Sequence, residues 1–339
     1  MAGRDRKGAE RQYADLDDSS FDRPRRRTRP RTKDRPTYDD ATDAVVMTVD
    51  RGRFTCGLVG EQHRLVTAMK SRPLGRKGVV VGDRVRLVGD LAGGDTLARI
   101  VEVSPRATVL RRTADDDDPV ERVVVANADQ LVIVVALADP EPRTGLVDRA
   151  LAAAYDAGID PLLCLTKADL ADPGPFLEIY RPLDVPFVVT QRGADVSDVR
   201  DRLADRTSVL LGHSGVGKST LVNALVPGAD RAVGVVNDHT GRGRHTSTSA
   251  IMLALPGGSG GGWIVDTPGI RSFGLAHVDA ADLIRAFSDL EDAALDCPRG
   301  CSHQPTEPEC GLDLAVTDRR IDAARVESYR RLLGSRDIR

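Results

Sequence analysis

The sequence predicts a multi-domain protein. It comprises an N-terminal β-barrel of the OB type, a central α/β domain built around a glycine-rich loop, and a C-terminal α-helical domain organised by a cysteine/histidine cluster. Three observations carry this prediction. Five short β-type runs lie between residues 44 and 103, divided by Gly and Asp turn signals. Hydrophobic strands then alternate with helical stretches, which implies a mainly parallel sheet covered on both faces. Finally, three cysteines and a histidine fall within Cys297 to Cys310.

The bulk composition fits this division. A chain of 339 residues is long for a single domain. With 41% hydrophobic and 29% charged residues it has the balance of a globular protein. The net charge of −3 excludes a general polycation, so any nucleic-acid contact must come from local basic patches. The longest apolar runs, such as Leu131 to Ala138, are too short to span a bilayer, and the N-terminus has no apolar leader core. The expectation is a cytoplasmic protein without membrane attachment.

Residues 1–43 are expected to form a disordered tail, because they are rich in Arg, Asp and Pro and nearly devoid of aliphatic side chains. The basic block Arg23 to Lys33 is either a phosphate-contacting arm or a solubilising tail. Residues 44–112 form the expected barrel, with strands at Ala44 to Val49, Phe54 to Val59, His63 to Val66, Arg84 to Val88 and Ala98 to Val103. Its many arginines suit RNA, and with only Phe54 available for base stacking, backbone contacts are expected. A barrel that merely packs on its neighbour is the other reading.

Residues 113–275 hold the α/β domain. Its strands are expected at Gln130 to Leu137, Pro161 to Leu165, Phe187 to Val189, Ser208 to Leu211 and Trp263 to Val265. Residues 276–339 are read as the helical domain, ending in the amphipathic Asp318 to Leu333. Cys56 and Cys164 sit alone in apolar runs and read as core.

Four motifs carry chemistry. The run Gly212-His213-Ser214-Gly215-Val216-Gly217-Lys218-Ser219-Thr220 joins a strand to a helix start, the context a phosphate loop requires. Glycines let backbone N–H groups curl around phosphate oxygens, Lys218 reaches the β- and γ-phosphates, and the Ser219 hydroxyl ligates Mg²⁺. Asp266-Thr-Pro-Gly269 follows a strand and places a carboxylate toward Mg²⁺ and an N–H toward the γ-phosphate. Thr166-Lys167-Ala168-Asp169 follows another strand. Asp169, taken as a buried carboxylate, can accept from guanine N1–H and the 2-amino group, so it selects GTP over ATP. Val188 to Gln191 is a weak candidate for the loop that closes over the base. Cys297, Cys301, His303 and Cys310 make a complete tetrahedral Zn²⁺ set with no open position, hence a structural site.

The motifs occur out of the usual order, with the base motif before the phosphate loop. Such a circular permutation preserves the sheet, since the chain ends of these domains lie close enough to be rejoined. It also runs the segment after Gly269 straight into the Cys/His domain, a route by which nucleotide state would reorient that domain.

At this point the chain resembles the ribosome small-subunit-dependent GTPase A family (RsgA, also called YjeQ), over about residues 44 to 335. The resemblance rests on Pro105-Arg106, Arg111, Ala126 to Leu131, Val147-Asp148-Arg149, the Thr166 to Asp169 motif, the Gly212 to Thr220 loop, Gly243 to Thr248, Asp266 to Ile270 and the Cys/His module, in that order. It implies an OB domain, a permuted P-loop GTPase domain and a zinc domain. It further implies a GTP hydrolase that assists late maturation of the small (30S) ribosomal subunit and is stimulated by it. The partners would be that subunit, its 16S rRNA, GTP and GDP, with the chain acting as a monomer. His245 to Thr248 resembles the first switch, where Thr246 or Thr248 would complete the Mg²⁺ shell. Ile270 stands where many GTPases carry a water-orienting Gln, so unaided hydrolysis should be slow. His245 is the candidate to take over that role, or else a phosphate or RNA contact. Two departures concern the site: Thr166 replaces the more usual Asn, and the metal spacing is C-x3-C-x-H-x6-C rather than the expected C-x4-C-x-H-x5-C. A nucleotide-switched rRNA-binding protein with negligible turnover is the alternative function, and a P-loop ATPase or kinase a third.

Overall fold

The first five strands close into a barrel. A computed structural model describes residues 38–60, 64–74, 78–92, 97–113, 121–229, 250–256, 261–267 and 280–335. The N-terminal basic block and the acidic insert Asp115 to Asp118 lie outside them. Strands β1 (Thr42–Asp50), β2 (Arg53–Leu58), β3 (Leu65–Lys70), β4 (Arg84–Val88) and β5 (Ala98–Val103) pair in the order 1-2-3-5-4. β4 returns to β1 through Thr42↔Leu87 to Val45↔Arg84, which closes the ring. All contacts are antiparallel except β3 with β5. Ala44, Val46, Cys56, Val66, Ala68, Leu87 and Ile100 fill the interior. The barrel expected from the turn spacing is therefore present, with the third strand displaced toward Lys70.

A hairpin follows, β6 (Val109–Thr113) with β7 (Glu121–Ala126), pairing across the expected domain boundary at 112/113. The central sheet then runs in spatial order β10-β9-β8-β11-β13-β12. Its members are β8 (Gln130–Ala136), β9 (Asp160–Thr166), β10 (Phe187–Val189), β11 (Thr207–Leu211), β12 (Ile251–Ala254) and β13 (Trp263–Asp266). Every neighbouring pair is parallel except β12 with β13. β12 also touches the barrel through Thr48↔Ile251, so one continuous sheet joins the two parts.

Both faces of the central sheet are buried, as continuous apolar strands require. Val132, Val134 and Ala136 face α3 (Ser197–Leu203) and α4 (Lys218–Leu225). Leu131, Ile133 and Val135 face the opposite way, toward α1 (Thr144–Asp156) and α2 (Gly174–Tyr180). The C-terminal helices α5 (Ala280–Ile284), α6 (Ser288–Ala294), α7 (Gly311–Thr317) and α8 (Ala323–Gly334) join this second core. Phe287 meets Tyr155 edge-on at 4.9 Å between ring centroids and Tyr329 at 5.9 Å. Arg331 on α8 pairs with buried Asp148 on α1 at 3.2 Å and lies over the Tyr180 ring. Burial pushes the Asp148 carboxyl up from its ordinary value, and Arg331 pulls against that shift. The sequence suggested a module hanging from the segment after Gly269. In the structure its helices pack on α1 of the nucleotide domain, and the segment after Gly269 that would link nucleotide state to them lies outside the described residues.

The barrel is fastened to the hairpin by a polar knot. Asp83, fully buried, accepts from both Arg106 Nε (2.7 Å) and Nη2 (2.9 Å) and from the Val80 amide (2.8 Å). Asn127 donates to Gly82 O and accepts from the Ala107 amide. Gly82 has φ +85°, and a Cβ there would lie 2.0 Å from Ala126 O, so only glycine fits. Arg106→Ala would strand the Asp83 charge in the interior. It is expected to cost about 3 kcal/mol, read as a lowered urea midpoint, with Arg106→Lys restoring only part because it lacks the fork.

Candidate nucleotide site and metal cluster

The parallel strands all point their carboxyl ends to one edge, and the loops that leave them form the site. Chain order places β9 and β10 to one side of β8, and β11 and β13 to the other. The loops after β8 and β11 therefore part company, and a crevice opens between them, the place where open α/β sheets bind ligands. A cavity of about 700 Å³ opens at this edge, between the loops after β9 and β10 on one side and the loop after β11 on the other.

One wall is the glycine loop. β11 ends at Leu211, the backbone turns through Gly215 (φ +85°) and Gly217 (φ +90°), and α4 starts at Lys218. A Cβ at Gly212 would lie 2.7 Å from Val134 O, so this glycine permits the loop to pass over β8. No side chain caps α4, which leaves its first amides for an anion. Lys218 Nζ donates to Asp266 Oδ1 at 2.9 Å and to Thr267 O at 3.3 Å. The two motifs to which the sequence assigns phosphate and metal are thus in direct contact.

The opposite wall is the loop after β9. Thr166 is buried and Lys167 takes φ +59°. The Lys167 ammonium donates to Asp139 O in the loop after β8. The Ala168 amide donates to Thr190 O at 3.3 Å, tying this loop to the one after β10. Asp169 lines the cavity but is exposed, not buried as the motif alone suggests. It sits three residues beyond the strand end, and a base seated against it would itself provide the cover.

The structure gathers Thr166, Lys167, Asp169, Gly212, His213, Ser214, Gly215, Gly217, Lys218, Ser219 and Thr220 around this one cavity. Ala168 and Val216 contribute backbone contacts at its walls, and Asp266 reaches it through Lys218. His245, Thr246, Thr248, Gly269 and Ile270 lie outside the described residues. The loop after β10 adds Thr190, Gln191, Arg192, Gly193 and Ala194. The sequence pattern points only to the first two of these, although the Arg-Gly turn after a short strand carries a signal for the rest. Arg143, which no motif marks, places Nη1 3.3 Å from His213 Nε2.

The second site is the Cys/His cluster between α6 and α7. Its four ligand atoms lie within 4.8 Å of one another, with His303 presenting Nδ1. The Cys297 and Cys310 sulfurs are 4.0 Å apart, and Nδ1 lies 3.5, 3.6 and 3.8 Å from Cys297, Cys301 and Cys310. A tetrahedron with bonds of about 2.3 Å to sulfur and 2.0 Å to nitrogen has edges of roughly 3.5–3.8 Å, so the residues fit a metal ion. Within the cluster the backbone is left-handed at Gly300, His303 and Glu309. The Gly311 and His303 amides point at Cys297 and Cys301 sulfur, and Arg330 reaches Cys310 while bracing Asp313 and His303 O.

Burial pushes the Cys297 thiol up to about 11 and raises Cys301, and it lowers His303. Metal binding must therefore displace thiol protons, and affinity falls as pH falls. Elemental analysis is expected to find one metal ion per chain, released by acid or thiol modification, with the melting temperature falling on release. Cys301→Ser should lower both metal content and melting temperature.

A glycine phosphate loop, a base-motif loop and a strand-end carboxylate meeting at one crevice, in permuted chain order, define a circularly permuted P-loop nucleotide-binding protein. The model of a family described as RsgA GTPase matches residues 103–276. The Small ribosomal subunit biogenesis GTPase RsgA of Ectopseudomonas mendocina is 45% identical over 221 residues, which covers 62% of this chain and 63% of that protein. Its namesake in Pseudomonas aeruginosa is 42% identical over 266 residues, 76% of each chain. Among solved structures, YjeQ from Thermotoga maritima superimposes with TM-score 0.65 at 27% identity, over 88% of this chain and 99% of that one. The chain belongs to the RsgA GTPase family.

Proposed function

We propose that this GTPase acts as a late assembly factor of the small (30S) ribosomal subunit, as the names of its relatives indicate for them. The observation that carries the nucleotide reading is the single cavity shared by the base-motif loop and the phosphate loop, with Lys218 beside Asp266. In this reading Asp169 accepts from guanine N1–H and the 2-amino group, and the Lys167 stem lies along the base. The amides of Ser214 to Ser219 cradle the phosphates. Lys218 exchanges Asp266 for the β- and γ-phosphate oxygens. Ser219, Asp266 and Thr246 or Thr248 are the groups that would hold Mg²⁺, which neutralises charge on the phosphates when bound. Water then attacks the γ-phosphorus, the bond to the β–γ bridging oxygen breaks, and Lys218 and the loop amides stabilise the charge that develops.

With Ile270 unable to orient water, His245 is the candidate for that task, or else a phosphate or RNA contact. The domain division 1–43, 44–112, 113–275 and 276–339 belongs to the same proposal. So do Zn²⁺ at Cys297, Cys301, His303 and Cys310, contacts of the basic barrel with 16S rRNA, a monomeric state and a cytoplasmic location. Among the described residues, no helix is long and apolar enough to cross a membrane.

Purified small subunits are expected to raise the GTP turnover rate at least about tenfold, and Lys218→Ala to abolish turnover. Rates unaffected by any ribosomal particle would contradict the proposed role. Raising the salt concentration should weaken the stimulation if docking rests on phosphate contacts.

A further inference from the structure

We infer that Thr166 is a positioning residue, one that fixes the phosphate loop through the carbonyl of Val216 and donates to no atom of the base. Thr166 is the last residue of β9, level with Ala136 of β8, and its side chain is buried. Its hydroxyl spans the end of β8 to reach the loop after β11. It donates to Val216 O at 2.6 Å, with Val135 O more distant at 3.3 Å. Gly217 packs against the same side chain, and a Cβ added to it would lie 3.7 Å from Thr166 Oγ1. One side chain on the base-binding wall thus holds the phosphate-binding wall at the residue just before the loop's last glycine.

The chemistry of the side chain makes this role exclusive. A hydroxyl has one proton, whereas the carboxamide usual at this position has two donors and an acceptor. An Asn can serve loop and base together. With its proton committed to Val216, Thr166 has none for guanine N7 or O6, which accept hydrogen bonds and need a donor. Guanine would then be recognised by Asp169 at the opposite edge, and N7 would go unread from this position.

The inference rests on the proposed nucleotide site, and one competition experiment separates the two. Full-length protein holding a fluorescent GDP is titrated with GDP, 7-deaza-GDP, IDP and ADP. In the wild type, 7-deaza-GDP is expected to bind within about twofold of GDP, since no donor meets N7. Thr166→Val leaves Val216 O buried without its donor and is expected to weaken GDP, 7-deaza-GDP and IDP alike by about tenfold. Thr166→Ser, which keeps the hydroxyl, should restore binding to within about threefold of wild type.

A wild-type protein that binds 7-deaza-GDP at least tenfold more weakly than GDP, with the gap closing in Thr166→Val, would make Thr166 a base contact and overturn the inference. Unchanged GDP affinity in Thr166→Val would overturn it as well. Where Thr166→Val folds poorly, Thr166→Ala, which also removes the hydroxyl, serves for the same comparison. If the wild type fails to prefer GDP over ADP, the nucleotide reading fails and this inference falls with it. Guanine preference that is lost in Asp169→Ala but kept in Thr166→Val would support both.

Discussion

The parallel pairing of β8 with β11 is the constraint on which the rest of the structure depends. Ser208↔Gln130 through Leu211↔Ile133 sets the two strands in register. Because the chain leaves β8 in one direction and β11 in the other, their loops separate and leave a gap that backbone does not fill. The glycine loop, the base-motif loop and the loop after β10 all open onto that gap. Gly212 is held by the same pairing, its α-carbon lying too close to Val134 O for any side chain. Circular permutation leaves this geometry untouched. It alters where the chain enters and leaves the sheet, not which strands are neighbours.

What permutation does alter is the surroundings. The barrel precedes the nucleotide domain and is stitched to it by the hairpin, by the Asp83–Arg106 knot and by the contact of β1 with β12. The C-terminal helices come after β13 and pack on α1, on the side of the sheet that α1 and α2 cover. Consecutive residues on α8 look both ways: Arg330 braces the Cys/His cluster, and Arg331 pairs with Asp148 on α1. The cluster is therefore continuous with the nucleotide domain through the ion pair on buried Asp148 and the edge-on contacts of Phe287.

Much of this was legible in the residues. The strands Gln130 to Ala136 and Thr207 to Leu211 are continuous apolar runs, and each motif sits just past a strand end, so sequence order and strand ends place the site. The Cys/His spacing singled out, without help from the fold, the four side chains that the structure gathers into one cluster. Other features were hidden for physical reasons. β12 is four residues long and follows a stretch with no periodic pattern, so its antiparallel place at the sheet edge depends on partners far away in sequence. The β6–β7 hairpin is split by the acidic insert, which masks the turn signal. The packing of α8 on α1 depends on pairs such as Asp148 with Arg331, far apart along the chain. The partner of Thr166 is a backbone carbonyl, which no side-chain pattern can reveal.

The proposed function depends on guanine being read by a carboxylate at the rim of this crevice while a glycine loop holds the phosphates. Equilibrium displacement of a fluorescent GDP from the intact protein by GTP and by ATP tests it most directly. GTP should displace at a concentration at least about 100-fold lower than ATP, because adenine offers no 2-amino group and presents an acceptor where guanine N1 donates. Displacement by ATP within tenfold of GTP would contradict the account.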